Sequence, residues 1–340
     1  MNKIGIVIII SALILTGCGQ KEVMETSKEG PEIKIGVSFD SFVIERWYRE
    51  QDAFISTIEA LGATAYVQDA NGEIEKQIKQ IEYLIEEEVD AIVVIPTDGE
   101  AIRPVIQKAK EKGIKIIAYD RMINHAGVDL YITFDNEKIG CLMTKALLKQ
   151  VGNKGNVLVI MGSPTDSNVK KIDRVFEDLI QSTDIQVLEK VYAQNWQAEV
   201  AFQTVSNHLK EGAQIDGIFC GNDDLAQQAI KALSEYRQAG EVCVVGQDAD
   251  LSACQRIVEG TQGMTVHKNV LTLAEEAAYM AIKLVKGEPL KIEETINDGS
   301  YEVPYYKLDV IQVTKENMDE VIIDSGFHSK EAVYLNLVEK

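Results

Sequence analysis

The chain has few of the residues that staple small folds or build metal and redox sites. It carries five Cys, six Pro and two Trp in 340 residues. No Cys-x-x-Cys pair occurs, which removes the common thiolate metal and dithiol motifs. The four histidines, His125, His208, His267 and His328, show no metal-ligand spacing. No Gly-x-Gly-x-x-Gly follows the first apolar run and no Gly-Lys-Ser/Thr loop is present, so nucleotide phosphates lack their usual cradle. No motif implies a cofactor or a metal. Basic runs are also missing: 34 Lys and Arg stand against 54 Asp and Glu, a net charge of −20. Nucleic acid and anionic lipid both need a basic patch, so neither is expected as a partner.

Long apolar runs are equally scarce. Residues 4–15 form one, after Met1-Asn2-Lys3, and it is too short for a comfortable membrane span. It runs into Leu15-Thr16-Gly17-Cys18, which resembles a bacterial lipobox. The expectation is a signal peptide over 1–17, a lipid on Cys18, and a polar tether over 18–32 that includes Gly30-Pro31. The body is then exported and anchored by lipid at the cell membrane. Cys141, Cys220, Cys243 and Cys254 remain, an even number that permits disulfides without demanding them.

What the chain has in abundance is alternation. From residue 33 onward, short apolar runs alternate with amphipathic segments. Ile74, Ile78, Ile81 and Ile85, for example, recur at helical spacing. Two successive series of this kind, at 46% hydrophobic content, predict an α/β fold of two doubly wound parallel-sheet, Rossmann-like lobes. The expected lobes are 33–134 with 266–298, and 135–265 with 299–340. Hinge crossings are expected near 134–135, after Gly263 and near 297–299. The tail is expected to hold one strand, over 308–313.

In such sheets the ligand sits beyond the carboxyl ends of the strands. Polar, planar side chains and both Trp stand at those positions. Arg46 and Trp47 follow the first strand, Asp120 and Arg121 a later one. In the second series come Asn168 within 162–168, Trp196 after Gln194-Asn195, Asn222 with Asp223-Asp224, and Asp248 within Gln247-Asp248-Ala249-Asp250. Lys268 follows the last strand. Sugars present flat C–H faces that aromatic rings cover, and hydroxyls that both donate and accept. Blander readings compete: a surface ion pair for Asp120 and Arg121, core packing for the Trp residues, a helix cap for Asn222, and solvated turn acids for Asp248 and Asp250.

Several stretches together resemble the D-xylose-binding proteins of the type I periplasmic binding-protein fold. They include Glu45-Arg46-Trp47, Gln68-Asp69-Ala70-Asn71-Gly72, Ala118-Tyr119-Asp120-Arg121-Met122-Ile123-Asn124, Phe134-Asp135-Asn136-Glu137-Lys138, Gly162-Ser163-Pro164, Gly221-Asn222-Asp223, Gly246-Gln247-Asp248-Ala249-Asp250-Leu251 and Gly326-Phe327-His328. They spread over residues 33–328. The resemblance implies a pentose, D-xylose first, between the rings of Trp47 and Trp196. Its hydroxyls would be held by Arg46, Asp120, Arg121, Asn168, Asn222, Asp248 and Lys268. One departure is Asn269, where a Pro commonly follows the Lys. Paired carboxylates such as Asp248 and Asp250 also occur in glycosidases, but the surrounding Arg, Asn and Lys suit holding a ring better than hydrolysing it. No enzymatic activity is expected. A repressor of this fold would need a DNA-binding segment where the leader stands. The output is either delivery to an ABC-type permease or a report of sugar occupancy to a membrane histidine kinase, and the binder's sequence does not separate the two.

Overall fold

The computed structural model describes residues 32–337; Cys18, the leader and most of the tether lie outside them. The first lobe begins with β1 (Lys34–Phe39), α1 (Arg46–Ala60), β2 (Thr64–Asp69), α2 (Ile74–Glu86) and β3 (Ala91–Val94). It continues through α3 (Arg103–Glu111), β4 (Lys115–Tyr119) and β5 (Leu130–Phe134). The second lobe holds α4 (Asn136–Val151), β6 (Lys154–Met161), α5 (Ser167–Ile180), β7 (Asp184–Tyr192) and α6 (Glu199–Lys210). Then come β8 (Gly217–Cys220), α7 (Asp223–Glu235), β9 (Cys243–Val245), α8 (Leu251–Glu259) and β10 (Thr265–Lys268). The chain returns through α9 (Val270–Val285), β11 (Thr295–Asn297), β12 (Glu302–Leu308) and β13 (Val310–Val313).

The first sheet has the order β11-β12-β5-β4-β3-β1-β2, and the second β7-β6-β8-β9. Only β11 runs antiparallel within them. The expected two doubly wound lobes are therefore present. Apolar runs such as Ala91–Val94 and Leu130–Phe134 are buried throughout, as strands covered on both faces by helices must be. In the first lobe α1 and α9 pack together, so the returning helix completes one face of the sheet it left.

The lobe boundaries differ from the expected ones at two places. β10 pairs antiparallel with β13, and Val245 bridges Met264, so 264–268 stay with the second lobe. The crossing follows Lys268, where Asn269 accepts a hydrogen bond from the Thr272 amide at 3.1 Å and caps α9. Residues 302–308 pair in parallel with β5 and belong to the first lobe. The last crossing is at Asp309, between β12 and β13, which splits the single tail strand that the sequence suggested. Asn297-Asp298-Gly299 reads as a linker in sequence, but here it turns the β11–β12 hairpin. All four cysteines among the described residues are free.

Asp298 fixes that hairpin to the loop before β5. Its Oδ2 accepts the amides of Ala126 and Gly127 at 3.0 and 2.7 Å, and its Oδ1 those of Ser300 and Tyr301 at 2.9 and 2.8 Å. Burial alone would raise this carboxyl, but the four amides hold it below the usual range. Its contribution is therefore present above the unfolded value of about 3.9 and fades as pH falls below it. Asp298→Ala should cost about 2–4 kcal/mol at pH 7 and noticeably less at pH 3, measured by denaturant unfolding.

Candidate functional site: a buried cleft between the lobes

The strand ends of both lobes converge on one cavity. Its walls include Arg46, Trp47, Asp120, Arg121, Asn168, Trp196, Asp248 and Lys268, eight of the nine residues singled out from sequence. The ninth, Asn222, is buried nearby but absent from the lining; its Oδ1 caps α7 by accepting the Leu225 amide at 2.9 Å. The cavity is tight, about 20 Å³.

Asp120 stands at its centre. The residue directly after β4 adopts a left-handed backbone, φ 62°, a cost that non-glycine residues bear mostly at functional positions. Its main-chain oxygen accepts hydrogen bonds from Thr133 Oγ1 at 2.6 Å, Tyr131 Oη at 3.1 Å and Asn168 Nδ2 at 3.1 Å. Its carboxylate meets Arg46 Nη1 at 3.2 Å and Asn168 Nδ2 at 3.0 Å. Burial alone would raise the Asp120 carboxyl, but the Arg46, Lys268 and Arg121 charges hold it below the usual carboxylate range. Asn168 comes from the second lobe, so this contact spans the cleft. Asn136 Nδ2 fixes its amide by donating to Asn168 Oδ1 at 3.0 Å.

The cations are oriented by residues that the sequence reading passed over. Arg46 Nε donates to Glu50 Oε1 at 2.5 Å, one helical turn on, and Tyr119 Oη donates to the other oxygen of Glu50. The Arg46 guanidinium lies 4.4 Å from the centre of the Trp47 ring, within cation–π range. Arg121 is clamped from both lobes, by Asp40 Oδ2 at 2.5 Å and by Asp166 Oδ2 at 2.7 Å. Lys268 pairs with Asp248 and donates to Gln247 Oε1 at 3.1 Å. Burial raises the Asp40 and Glu50 carboxyls despite these partners. Each missed residue had a sequence signal. Asp40 directly follows β1, Glu50 stands four residues after Arg46, and Asp166 and Gln247 sit in the same strand-end loops as the residues chosen.

Other lobe-spanning contacts surround the cavity. Ser167 Oγ accepts the Met122 amide at 2.9 Å, and Thr165 Oγ1 donates to the Thr97 carbonyl at 3.0 Å. On the far side Arg49 of α1 lies over Phe327, 4.9 Å from the ring centre, and donates to its carbonyl at 3.3 Å. His328 Nε2 lies 2.8 Å from the Ala249 carbonyl, which requires that nitrogen to carry the proton. The Gly326-Phe327-His328 stretch thus braces the left-handed turn of Asp248 and Ala249, φ 107° and 56°.

Several buried polar atoms at the site have no protein partner: Arg46 Nη2, Trp47 Nε1, Trp196 Nε1, Asp40 Oδ1 and Asn222 Nδ2. Buried polar groups are rarely left so. The wall carries three cations (Arg46, Arg121, Lys268) and three carboxylates (Asp120, Asp166, Asp248). Donors and acceptors in balance, with two indoles, suit an uncharged polyhydroxylated ring better than an anion or a cation.

Comparison with known proteins agrees with that chemistry. Residues 35–289 match the family model described as periplasmic binding protein domain. A D-xylose-binding periplasmic protein of Haemophilus influenzae is 41% identical over 330 residues, 96% of this chain and 99% of that protein. Another, from Escherichia coli, is 40% identical over 94% of this chain and 98% of its own length. The chain belongs to the D-xylose-binding protein family of periplasmic binding proteins. Among solved structures, an ABC transporter solute-binding protein of Clostridium phytofermentans with bound β-D-glucose superposes with a TM-score of 0.81 at 25% identity. That match covers 88% of this chain and 99% of the other. This is a family of receptors, and the chain is not an enzyme.

Behind the cavity the second lobe concentrates acid. Asp224 is pushed up to about 6 by burial, by Asp248 and by Glu45 of the opposite lobe, against Arg256. Asp223 and Asp250 are raised in the same direction, burial being the first cause. An acid whose folded pKa exceeds its unfolded one stabilises the native state when protonated, and that stability is lost as pH rises through the folded value. Asp224→Asn should therefore melt higher than the parent at pH 7.5 and match it only below the unfolded value of about 3.9, near pH 3.5. Equal melting temperatures at both would show that the charge is relieved by solvent.

Proposed function

We propose that the chain is an extracytoplasmic receptor for D-xylose, held at the cell membrane by a lipid on Cys18, which closes its two lobes on the sugar and presents it to an ABC-type permease. The observation that carries the reading is the charge-balanced cavity with Trp47 and Trp196 in its wall, in a chain 40–41% identical to two D-xylose-binding proteins. The two rings take the C–H faces of the pyranose, and the Asp, Asn, Arg and Lys groups take its hydroxyls. Asp120 and Asn168 bind each other across the cleft at 3.0 Å, so a sugar between them exchanges their mutual bond for bonds to both. Neither lobe satisfies the ring alone, which makes closure the bound state.

Xylose lacks the exocyclic CH₂OH of glucose, and two rings with hydroxyl-gripping groups packed closely around a pentopyranose exclude that extra group sterically. Ribose and arabinose keep the size but misplace a hydroxyl, leaving a buried polar group unpaired at about 1–3 kcal/mol. Calorimetry should rank xylose above ribose, arabinose and glucose. Asp120→Ala should weaken xylose binding about ten- to a hundred-fold by removing a charged acceptor. Tighter binding of glucose or ribose would overturn the assignment.

The lipid anchor rests on the Leu15-Thr16-Gly17-Cys18 pattern. Stable anchoring needs more than one acyl chain, as a multiply acylated Cys provides. Cys18→Ala should move the protein out of the membrane fraction and lower pentose uptake, with sugar affinity in solution unchanged. Uptake that persists while the cell's transcriptional response to pentose is lost would point to a histidine kinase as the recipient instead.

A further inference from the structure

Gly162 closes β6 where the cleft begins, and its backbone does not need a glycine: its φ is not in the left-handed region. What it needs is space. A Cβ at this position would stand 2.1, 2.3 and 2.4 Å from Cη2, Cζ2 and Cζ3 of Trp196. The far edge of the indole therefore lies directly on the Gly162 backbone. Gly221, just after the neighbouring β8, packs closely against the same segment. A Cβ on Gly221 would come within 2.7 Å of the Gly162 nitrogen and 3.1 Å of the Met161 carbonyl carbon. The Gly162 backbone is thus in close contact with both the indole and Gly221. The indole is anchored at its other end. Trp196 sits in a short turn with left-handed φ at Asn195 and Trp196, 49° and 58°, and its amide donates to Ala193 O at 2.9 Å.

We infer that Gly162 is a positioning residue for the sugar: its missing side chain sets how deep the Trp196 ring lies against the second lobe, and so how much of the cleft is left for a pyranose. This rests on the proposed role of Trp196 as a sugar platform. A methyl at 162 must drive the ring off the sheet end and into a cavity of only about 20 Å³, and cores packed this closely do not absorb such an addition freely.

The test is a double-mutant cycle on the full chain with Gly162→Ala, Trp196→Phe and both, read by xylose calorimetry and by melting temperature. Gly162→Ala alone should weaken xylose binding about ten- to a hundred-fold. In the Trp196→Phe background, where the smaller ring leaves space, the same methyl should change affinity less than about threefold. Equal losses in both backgrounds, or no loss in the parent, would overturn the inference. If Gly162→Ala does not fold, recovery of folding in the double variant supports the contact, and failure to recover refutes it. If the parent protein binds no pentose, the proposed function fails by itself, while the coupling in melting temperature still decides whether Gly162 sets the ring's position.

Discussion

The carboxylate of Asp120 is the constraint on which the rest of the site depends. It is buried, ionised and held in a left-handed turn, and each property has a separate cost. The neighbouring charges of Arg46, Arg121 and Lys268 offset the desolvation. The turn is held by Tyr131, Thr133 and Asn168 donating to the Asp120 carbonyl, and by its own amide donating to Ile132 O at 2.8 Å. These supports come from β5 and from the second lobe. The first-lobe sheet order, with β5 beside β4, is what brings them within reach.

The cations that offset Asp120 need anions of their own, and this propagates the network outward. Arg46 recruits Glu50 and through it Tyr119; Arg121 recruits Asp40 and Asp166; Lys268 recruits Asp248. Buried pairs of this kind gain little net stability over an apolar core, since desolvation consumes most of the attraction. Their value lies in geometry: Glu50 and Asp40 hold Arg46 and Arg121 from within the first lobe, so less side-chain order remains to be imposed on binding.

Much of the fold was legible because parallel strands buried on both faces leave continuous apolar runs, and helices between them leave a period near 3.6. The returning segments were not legible for the same reason. β12 pairs with β5 across more than 160 residues of sequence, and nothing local to Glu302–Leu308 says which lobe it joins. The Asn-Asp-Gly turn misled because the same dipeptide chemistry serves a hairpin and a linker equally well. At the site, the rule that ligands gather at strand ends identified the loops, but within a loop it could not rank residues. Asp166 and Gln247 stand beside Asn168 and Asp248 without a signal that sets them apart, and Asn222 caps α7 with its oxygen while its Nδ2 has no partner.

A site already paired with itself also bears on selectivity. On the proposed reading, a hydroxyl that meets Asp120, Asn168 or Arg121 replaces a bond these residues make with each other or with Asp166, whereas Arg46 Nη2 and Asp40 Oδ1 have no partner to give up. At the paired groups a matching hydroxyl gains little, because one good bond replaces another. A hydroxyl in the wrong place loses the full bond, because the exchanged partner is left buried and dry. The indoles add to the affinity of any pyranose with an apolar face and distinguish few of them. On the proposed reading, discrimination among pentoses then falls to the charged pairs, whose contribution is a penalty against the wrong stereoisomer more than an attraction for the right one. On the same reading the apolar walls, and the depth of the Trp196 ring, act on ring size instead, so the two kinds of selectivity would reside in separate residues of one cavity.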